Sequence, residues 1–170
     1  MQLDDYISKI PDYPKPGVLF RDITSLLANG PAFHEAIDQM AARVADLDFD
    51  VIIGSEARGF IFGTPLAYRL SKPFVPVRKK GKLPRQTVSV EYDLEYGTAV
   101  LEMHSDAIQP GQRTLIVDDL MATGGTIKAM KQMTESLGGT VAGICVLMEL
   151  KGLGGREAVD GCRVDSVLTY

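Results

Sequence analysis

No stretch of this chain approaches the eighteen or so apolar residues of a membrane-spanning helix, and the polar opening Met1-Gln2-Leu3-Asp4-Asp5 is not a secretory signal. Excess positive charge is also missing. The 18 Lys and Arg against 22 Asp and Glu leave a net charge of −4, which argues against a general nucleic-acid binder, because such proteins displace counterions with a basic face. Cysteine and histidine are scarce. Cys145 lies in an apolar run and Cys162 near the C-terminus, without C-x-x-C spacing, so both read as packing residues and not as a disulfide or metal site. His34 and His104 stand far apart, neither with a partner at ligand spacing, and receive no role. Repeats, linkers and low-complexity tracts are absent too. These absences leave a globular protein with the cytoplasm as its expected location.

What is present fits that class: 45% hydrophobic and 24% charged residues are ordinary for a folded domain. At 170 residues the chain suits one domain, 1–170, burying about 70% of its unfolded surface. Two strand-loop-helix-strand patterns stand out. Asp50 to Gly54, then an apolar-rich helix from Phe60 to Leu70, then Pro73 to Val77 make one; Arg113 to Val117, a helix from Ile127 to Leu137 closed by Gly138-Gly139, then Thr140 to Met148 make the second. Near-continuous apolar strands joined by helices predict an α/β fold, a twisted, mostly parallel sheet flanked by helices, with the loops after the strands at one edge, where ligands bind. Between these units Thr87 to Glu91 and Thr98 to Met103 alternate in polarity around Tyr92 to Gly97, which predicts an antiparallel hairpin projecting from the sheet as a lid, 84–104 overall. Upstream, Pro11, Pro14, Pro16 and Gly17 predict irregular chain before a helix from Pro31 to Asp46.

The most informative stretch is Thr114-Leu115-Ile116-Val117-Asp118-Asp119-Leu120-Met121-Ala122-Thr123-Gly124-Gly125-Thr126. A short apolar strand here delivers two adjacent acids into a small, hydroxyl-rich glycine loop that opens a helix. Free amides at a helix N-terminus carry about half a positive charge, and Gly124 and Gly125 remove side chains that would keep a phosphate away. Thr123 and Thr126 add hydroxyl donors. Asp118 and Asp119 would repel a phosphate, so they are read as accepting hydrogen bonds from ribose hydroxyls or as lying near a phosphate-bound Mg2+. The stretch is not a nucleotide P-loop, since no lysine follows the second glycine, and G-x-G-x-x-G is absent both here and at Gly152-Leu153-Gly154-Gly155.

All thirteen positions fit the phosphoribosyl-pyrophosphate motif of the type I phosphoribosyltransferases, which this run resembles. Four further segments resemble the adenine-specific members of that family, in order along nearly the whole chain. Gly54-Ser55-Glu56-Ala57-Arg58-Gly59 resembles the pyrophosphate loop; the resemblance implies ligand contacts at Glu56 and Ala57, a cis peptide between them, and a diphosphate-binding guanidinium at Arg58. Arg78-Lys79-Lys80-Gly81-Lys82-Leu83-Pro84 resembles the family's basic segment, implying that Arg78, Lys79 and Lys82 screen the anionic substrate of their own or a neighbouring subunit, since members are commonly homodimers. Pro16 to Ile23, within an N-terminal segment 1–30, resembles the base-binding region: Leu19 would stack on the purine and Arg21 supply backbone contacts, while Phe20, in the same segment, suits a core position better. Tyr92 to Gly97 resembles the catalytic loop, with Glu95 as acid or base and Tyr96 closing the site. Ala122, Thr123, Gly124, Gly125 and Thr126 would hold the 5′-phosphate. The resemblance thus implies transfer of a 5-phosphoribosyl group from 5-phosphoribosyl 1-pyrophosphate to adenine in purine salvage, giving AMP and pyrophosphate, with Mg2+ held mainly by the diphosphate. The alternatives are transfer to another nucleobase and a non-catalytic regulator that binds the same donor.

Overall fold

Where Pro11, Pro14, Pro16 and Gly17 predict irregular chain, the computed structural model, which describes residues 1–94 and 97–170, has a short antiparallel hairpin. Strands β1 (Ser8–Pro11) and β2 (Leu19–Asp22) pair from Ser8↔Asp22 to Pro11↔Leu19, and the irregular chain shrinks to the loop between them. Helix α1 (Thr24–Leu27) follows; the Asp22 carboxylate accepts the Thr24 hydroxyl at 2.6 Å and its N–H at 2.9 Å, which holds the Asp22 carboxyl below its ordinary pKa. Helix α2 (Gly30–Arg43) begins where the Asn29 side chain accepts the Ala32 N–H at 3.0 Å, and it stops three residues before the predicted end. Contacts divide the chain into two compact units, Met1–Gln39 and Met40–Tyr170.

The second unit carries the predicted sheet. Strands β3 (Val51–Ser55), β4 (Phe74–Lys79), β5 (Thr87–Leu94), β6 (Gly97–His104), β7 (Arg113–Met121), β8 (Thr140–Glu149) and β9 (Val164–Thr169) are ordered β5-β6-β4-β3-β7-β8-β9 among the described residues. The five strands from β4 to β9 in that order are parallel, and the β5–β6 hairpin joins antiparallel at one edge. Every residue of β3 is buried, as expected for a central parallel strand covered on both faces. Helix α4 (Gly125–Ser136) packs Ile127, Met130 and Met133 in one core with Val51, Ile53, Ile116, Ile144 and Val146. Helix α3 (Arg58–Leu70) packs against β3 and β7 and buries Phe62 and Leu66; Ile52 and Leu115 alternate away from the α4 core.

Three details differ from expectation. Strand β7 runs four residues past Val117, so Asp118 and Asp119 are strand residues and not loop residues. Pairing explains this: Asp118, Leu120 and Met121 remain in register with Val146, Met148 and Glu149 of the long β8. The hairpin is rooted in the sheet through Arg78↔Glu102 and Lys79↔Leu101, and only its outer part projects. The segment 156–170, outside every motif described above, completes α5 (Gly155–Ala158) and supplies the edge strand β9. Among the described residues no helix is long and apolar enough to cross a membrane.

Candidate active site

The chain leaves β3 toward β4 on one side of the sheet and leaves β7 toward β8 on the other, so a crevice opens between the carboxyl ends of β3 and β7. A cavity of about 550 Å³ lies there, lined by Ser55 to Arg58, by Asp118 to Ile127, by Lys79, and by the hairpin residues Tyr92 to Leu94. The register of β3 on β7 ends at Gly54↔Val117, which sets Ser55 beside Asp118; the Ser55 hydroxyl donates to Asp118 Oδ2 at 3.4 Å. Ser55 was not singled out in the sequence, because its partner is 63 residues away.

Asp118 is 7% and Asp119 5% exposed. Burial and then the neighbouring Asp119 push the Asp118 carboxyl well above its ordinary pKa, against the Asp119 N–H it accepts at 2.8 Å. Arg58 comes from the start of α3 and forms an ion pair with Asp119, Nε to Oδ2 at 3.1 Å. Gly59 lets that helix end approach so closely that a Cβ there would sit 3.2 Å from Asp118 Oδ1. Arg58 and the twin acids therefore form one cluster.

The turn after β7 is made of backbone. Gly124 adopts φ +84°, a left-handed conformation that glycine takes without strain, and caps α4. Lys128 is the first N–H to find a helical acceptor, Gly124 O at 2.8 Å, so the N–H groups of Gly125, Thr126 and Ile127 have no partner within the helix. Gly125, Thr126 and Ile127 all line the cavity. Tyr92 from β5 reaches this turn: its ring lies 3.5 Å from where a Gly125 Cβ would be, and its hydroxyl shares a hydrogen bond with Thr126 Oγ1 at 3.3 Å. Val88, Val90 and Tyr92 all face the core, so the period-two pattern of the strand already carried this orientation.

The turn after β3 is made of charge. Its Glu56–Ala57 peptide is cis, as the resemblance implied. Glu56 does not reach out as a free ligand group: Oε1 accepts the Lys79 N–H at 2.8 Å and lies 3.4 Å from Arg78 Nε, while Oε2 binds Lys82 Nζ at 2.8 Å. Partial burial opposes its ionisation, but the Lys82 ammonium, the Lys79 N–H and Arg78 outweigh that and hold its carboxyl below the ordinary value. Of the basic segment, Lys79 lines the cavity, while Arg78 and Lys82 are anchored to Glu56.

In the first unit, Leu19 heads β2 and is 43% exposed, and Arg21 lies two residues along the same strand. Phe20 is not a core residue; it is half-buried, its ring edge-on to Tyr13 with centroids 5.2 Å apart. The four-residue strand leaves it at the rim of a small hairpin. Glu95 and Tyr96 lie outside the described residues.

Comparison with known proteins agrees with this geometry. A family model described as a phosphoribosyl transferase domain matches residues 24–167. The adenine phosphoribosyltransferase of Lachnoclostridium phytofermentans is 56% identical over 169 residues, 99% of this chain and 97% of that one. That of Pseudothermotoga lettingae is 55% identical across the full length of both. The crystal structure of adenine phosphoribosyltransferase from Thermoanaerobacter pseudethanolicus superposes with a TM-score of 0.95 at 51% identity, covering 99% of this chain and 100% of that one. A Saccharomyces cerevisiae enzyme of the same name, complexed with an imino-altritol bisphosphate and adenine, reaches 0.91 at 35% identity, covering 98% and 96%. Matched over most of its length by the domain model, and more than half identical to such relatives from end to end, this chain belongs to the phosphoribosyltransferase family and, within it, to the adenine phosphoribosyltransferases.

Proposed function

We propose that the chain joins adenine to the 5-phosphoribosyl group of 5-phosphoribosyl 1-pyrophosphate at the crevice between β3 and β7, giving AMP and pyrophosphate. The observation that carries the residue roles is the convergence in one cavity of the Gly125–Ile127 amides, the Asp118–Asp119 pair and Arg58. The amides and the Thr123 and Thr126 hydroxyls take the 5′-phosphate, as a helix N-terminus favours an anion. The twin acids take the ribose, and Arg58 with the turn at Glu56–Ala57 takes the diphosphate.

In the reaction the bond from ribose C1 to the diphosphate oxygen breaks, a bond from C1 to adenine N9 forms, and the N9 proton must leave. As the diphosphate departs, positive charge spreads over the ribose ring. The ionised form of Asp118, opposed by burial and by Asp119, is favoured by a cation beside it. The crevice is thus better matched to the transition state than to the neutral ring of the ground state. By family resemblance Glu95 receives the proton and Tyr96 closes the site; Leu19 takes the purine face and the Arg21 backbone its edge.

Magnesium belongs to the same reading. Among the described residues no group of three or more potential ligand side chains forms a protein cage, but Asp118 and Asp119 offer the hard oxygen donors that Mg2+ accepts alongside substrate phosphates. The ion would be held chiefly by diphosphate oxygens, directly or through water near these acids, and would neutralise charge on the leaving group. A homodimer and a cytoplasmic setting complete the proposal on the strength of the family resemblance.

The test is pyrophosphate release on adding Mg2+, the phosphoribosyl donor and one base at a time. Release with adenine alone among adenine, guanine, hypoxanthine, xanthine and orotate is expected. Equal release with a 6-oxo purine, or none with adenine, overturns the assignment.

A further inference from the structure

Behind the 5′-phosphate turn lies a carboxylate that the chemistry above does not use. Glu149 ends β8 and is only 3% exposed. Both of its oxygens are taken: Arg156 forks onto it, Nε to Oε1 at 2.7 Å and Nη2 to Oε2 at 2.9 Å, and the Ser166 hydroxyl donates to Oε2 at 3.0 Å. Arg156, first among these, holds the Glu149 carboxyl below its ordinary pKa. A forked guanidinium fixes orientation as well as charge. What it fixes here is the preceding residue. Gly155 presses so tightly on the end of β7 that a Cβ would stand 2.7 Å from Ala122 O and 3.0 Å from Met121 Cγ, and a Cβ on Gly124 would stand 2.9 Å from Gly155 O. The two loops are otherwise stitched by Leu150 N–H to Met121 O at 3.0 Å, beside the register pair Met121↔Glu149.

We propose that Glu149 and Arg156 are positioning residues for the phosphate turn: their fork clamps Gly155 against Ala122 and Gly124 and so holds the Gly125–Ile127 amides aimed at the 5′-phosphate. The proposal rests on the reading of that turn as the phosphate cradle. It gives a role to the segment after Gly155 that no substrate contact requires.

Calorimetric binding of ribose 5-phosphate, read beside steady-state kinetics and thermal melting, tests it. Arg156→Gln is expected to weaken ribose 5-phosphate about tenfold and to raise the donor KM similarly, with kcat and the adenine KM at saturating donor within threefold of wild type. Arg156→Lys, which keeps the charge without the fork, should recover part of the loss. Gly155→Ala leaves the ion pair in place but inserts a methyl against Ala122 O, and should weaken the same ligand at least as much. Wild-type affinity in Arg156→Gln, or equal losses for donor and adenine with a lowered melting temperature, overturns the clamp. If the wild-type protein binds ribose 5-phosphate no better than ribose, the cradle itself is wrong, whatever the variants do.

Discussion

The turn after β3 and the turn after β7 leave adjacent parallel strands at one sheet edge, and each feeds a helix, yet the first is built from charged side chains and the second from backbone. Glu56, Arg58, Arg78 and Lys82 furnish the first through ion pairs. Gly124, Gly125 and the first amides of α4, which have no partner within the helix, furnish the second. On the proposed reading the difference follows from what each holds. The 5′-phosphate keeps its charge throughout the reaction, so a rigid set of amides suffices. The diphosphate gains charge as it leaves, and cations already held in place by Glu56 and Asp119 meet that charge at little cost in reorganisation.

The largest expected effect falls where the two turns meet. Asp118→Asn combined with Asp119→Asn removes the charge that, on the proposed reading, faces the ribose, together with the partner of Arg58, and turnover should fall by roughly 10²–10³-fold, the range for loss of a preorganised electrostatic group. Circular dichroism should show an intact fold. Turnover near wild type would remove the acids from the mechanism and leave the turns as two independent anion sites.

Much of this contrast was legible in the sequence, and the reason lies in how local each signal is. The glycine turn, the acids and Arg58 lie within a few residues of a strand end, so strand, turn and helix signals place them together. The strand boundary was not legible: Asp118 to Met121 stay extended because β8 pairs with them, which no property of Asp-Asp-Leu-Met predicts. The hold of Glu56 on Lys82 spans 26 residues, and the fork of Arg156 on Glu149 joins two residues that no sequence motif picks out, so both needed the fold. The β1–β2 hairpin was missed because proline-rich sequence hides a strand pair as short as Ser8–Pro11 on Leu19–Asp22.

Gly124→Ala probes the backbone turn alone. The residue sits at φ +84°, where an L side chain costs about 1–2 kcal/mol, and its Cβ would meet Gly155 O at 2.9 Å. The donor KM should rise about tenfold or more, equally at low and high salt, because the lost interaction is geometric. A rise that vanished in high salt would show that this turn, too, acts by long-range charge.

Glu56→Gln probes the charged turn, and a smaller change is expected. Freed from their acid, Arg78 and Lys82 remain attractive to an anion but lose their aim, so the donor KM should move by about threefold or less while its salt dependence steepens. Stability supplies a second reading. The Glu56 carboxyl lies below its ordinary value, near 4.3, so it stabilises the fold above that pH and loses the contribution as pH falls through the folded value. The variant should lack this acid-side loss; an identical acid profile would mean that the ion pairs contribute nothing to folding.

The smallest effect runs in the opposite direction and isolates the acid shared by both turns. Asp118 has a raised pKa, so between its ordinary value near 3.9 and its folded value the folded chain holds a proton that the unfolded chain has released. Stability therefore falls as pH rises through that window, and at neutral pH the buried acid works against the fold. Asp118→Asn keeps one oxygen for the Asp119 N–H and turns an NH2 donor toward the Ser55 hydroxyl oxygen in place of Oδ2, and it removes this burden. Its melting temperature at pH 7 should exceed that of the wild type by a few degrees, with the gain vanishing in acid below the ordinary value, even as turnover drops. A lowered melting temperature at pH 7 would mean that the hydrogen bonds to the charged carboxylate outweigh its burial, and that the site stabilises the acid in the folded state without any ligand.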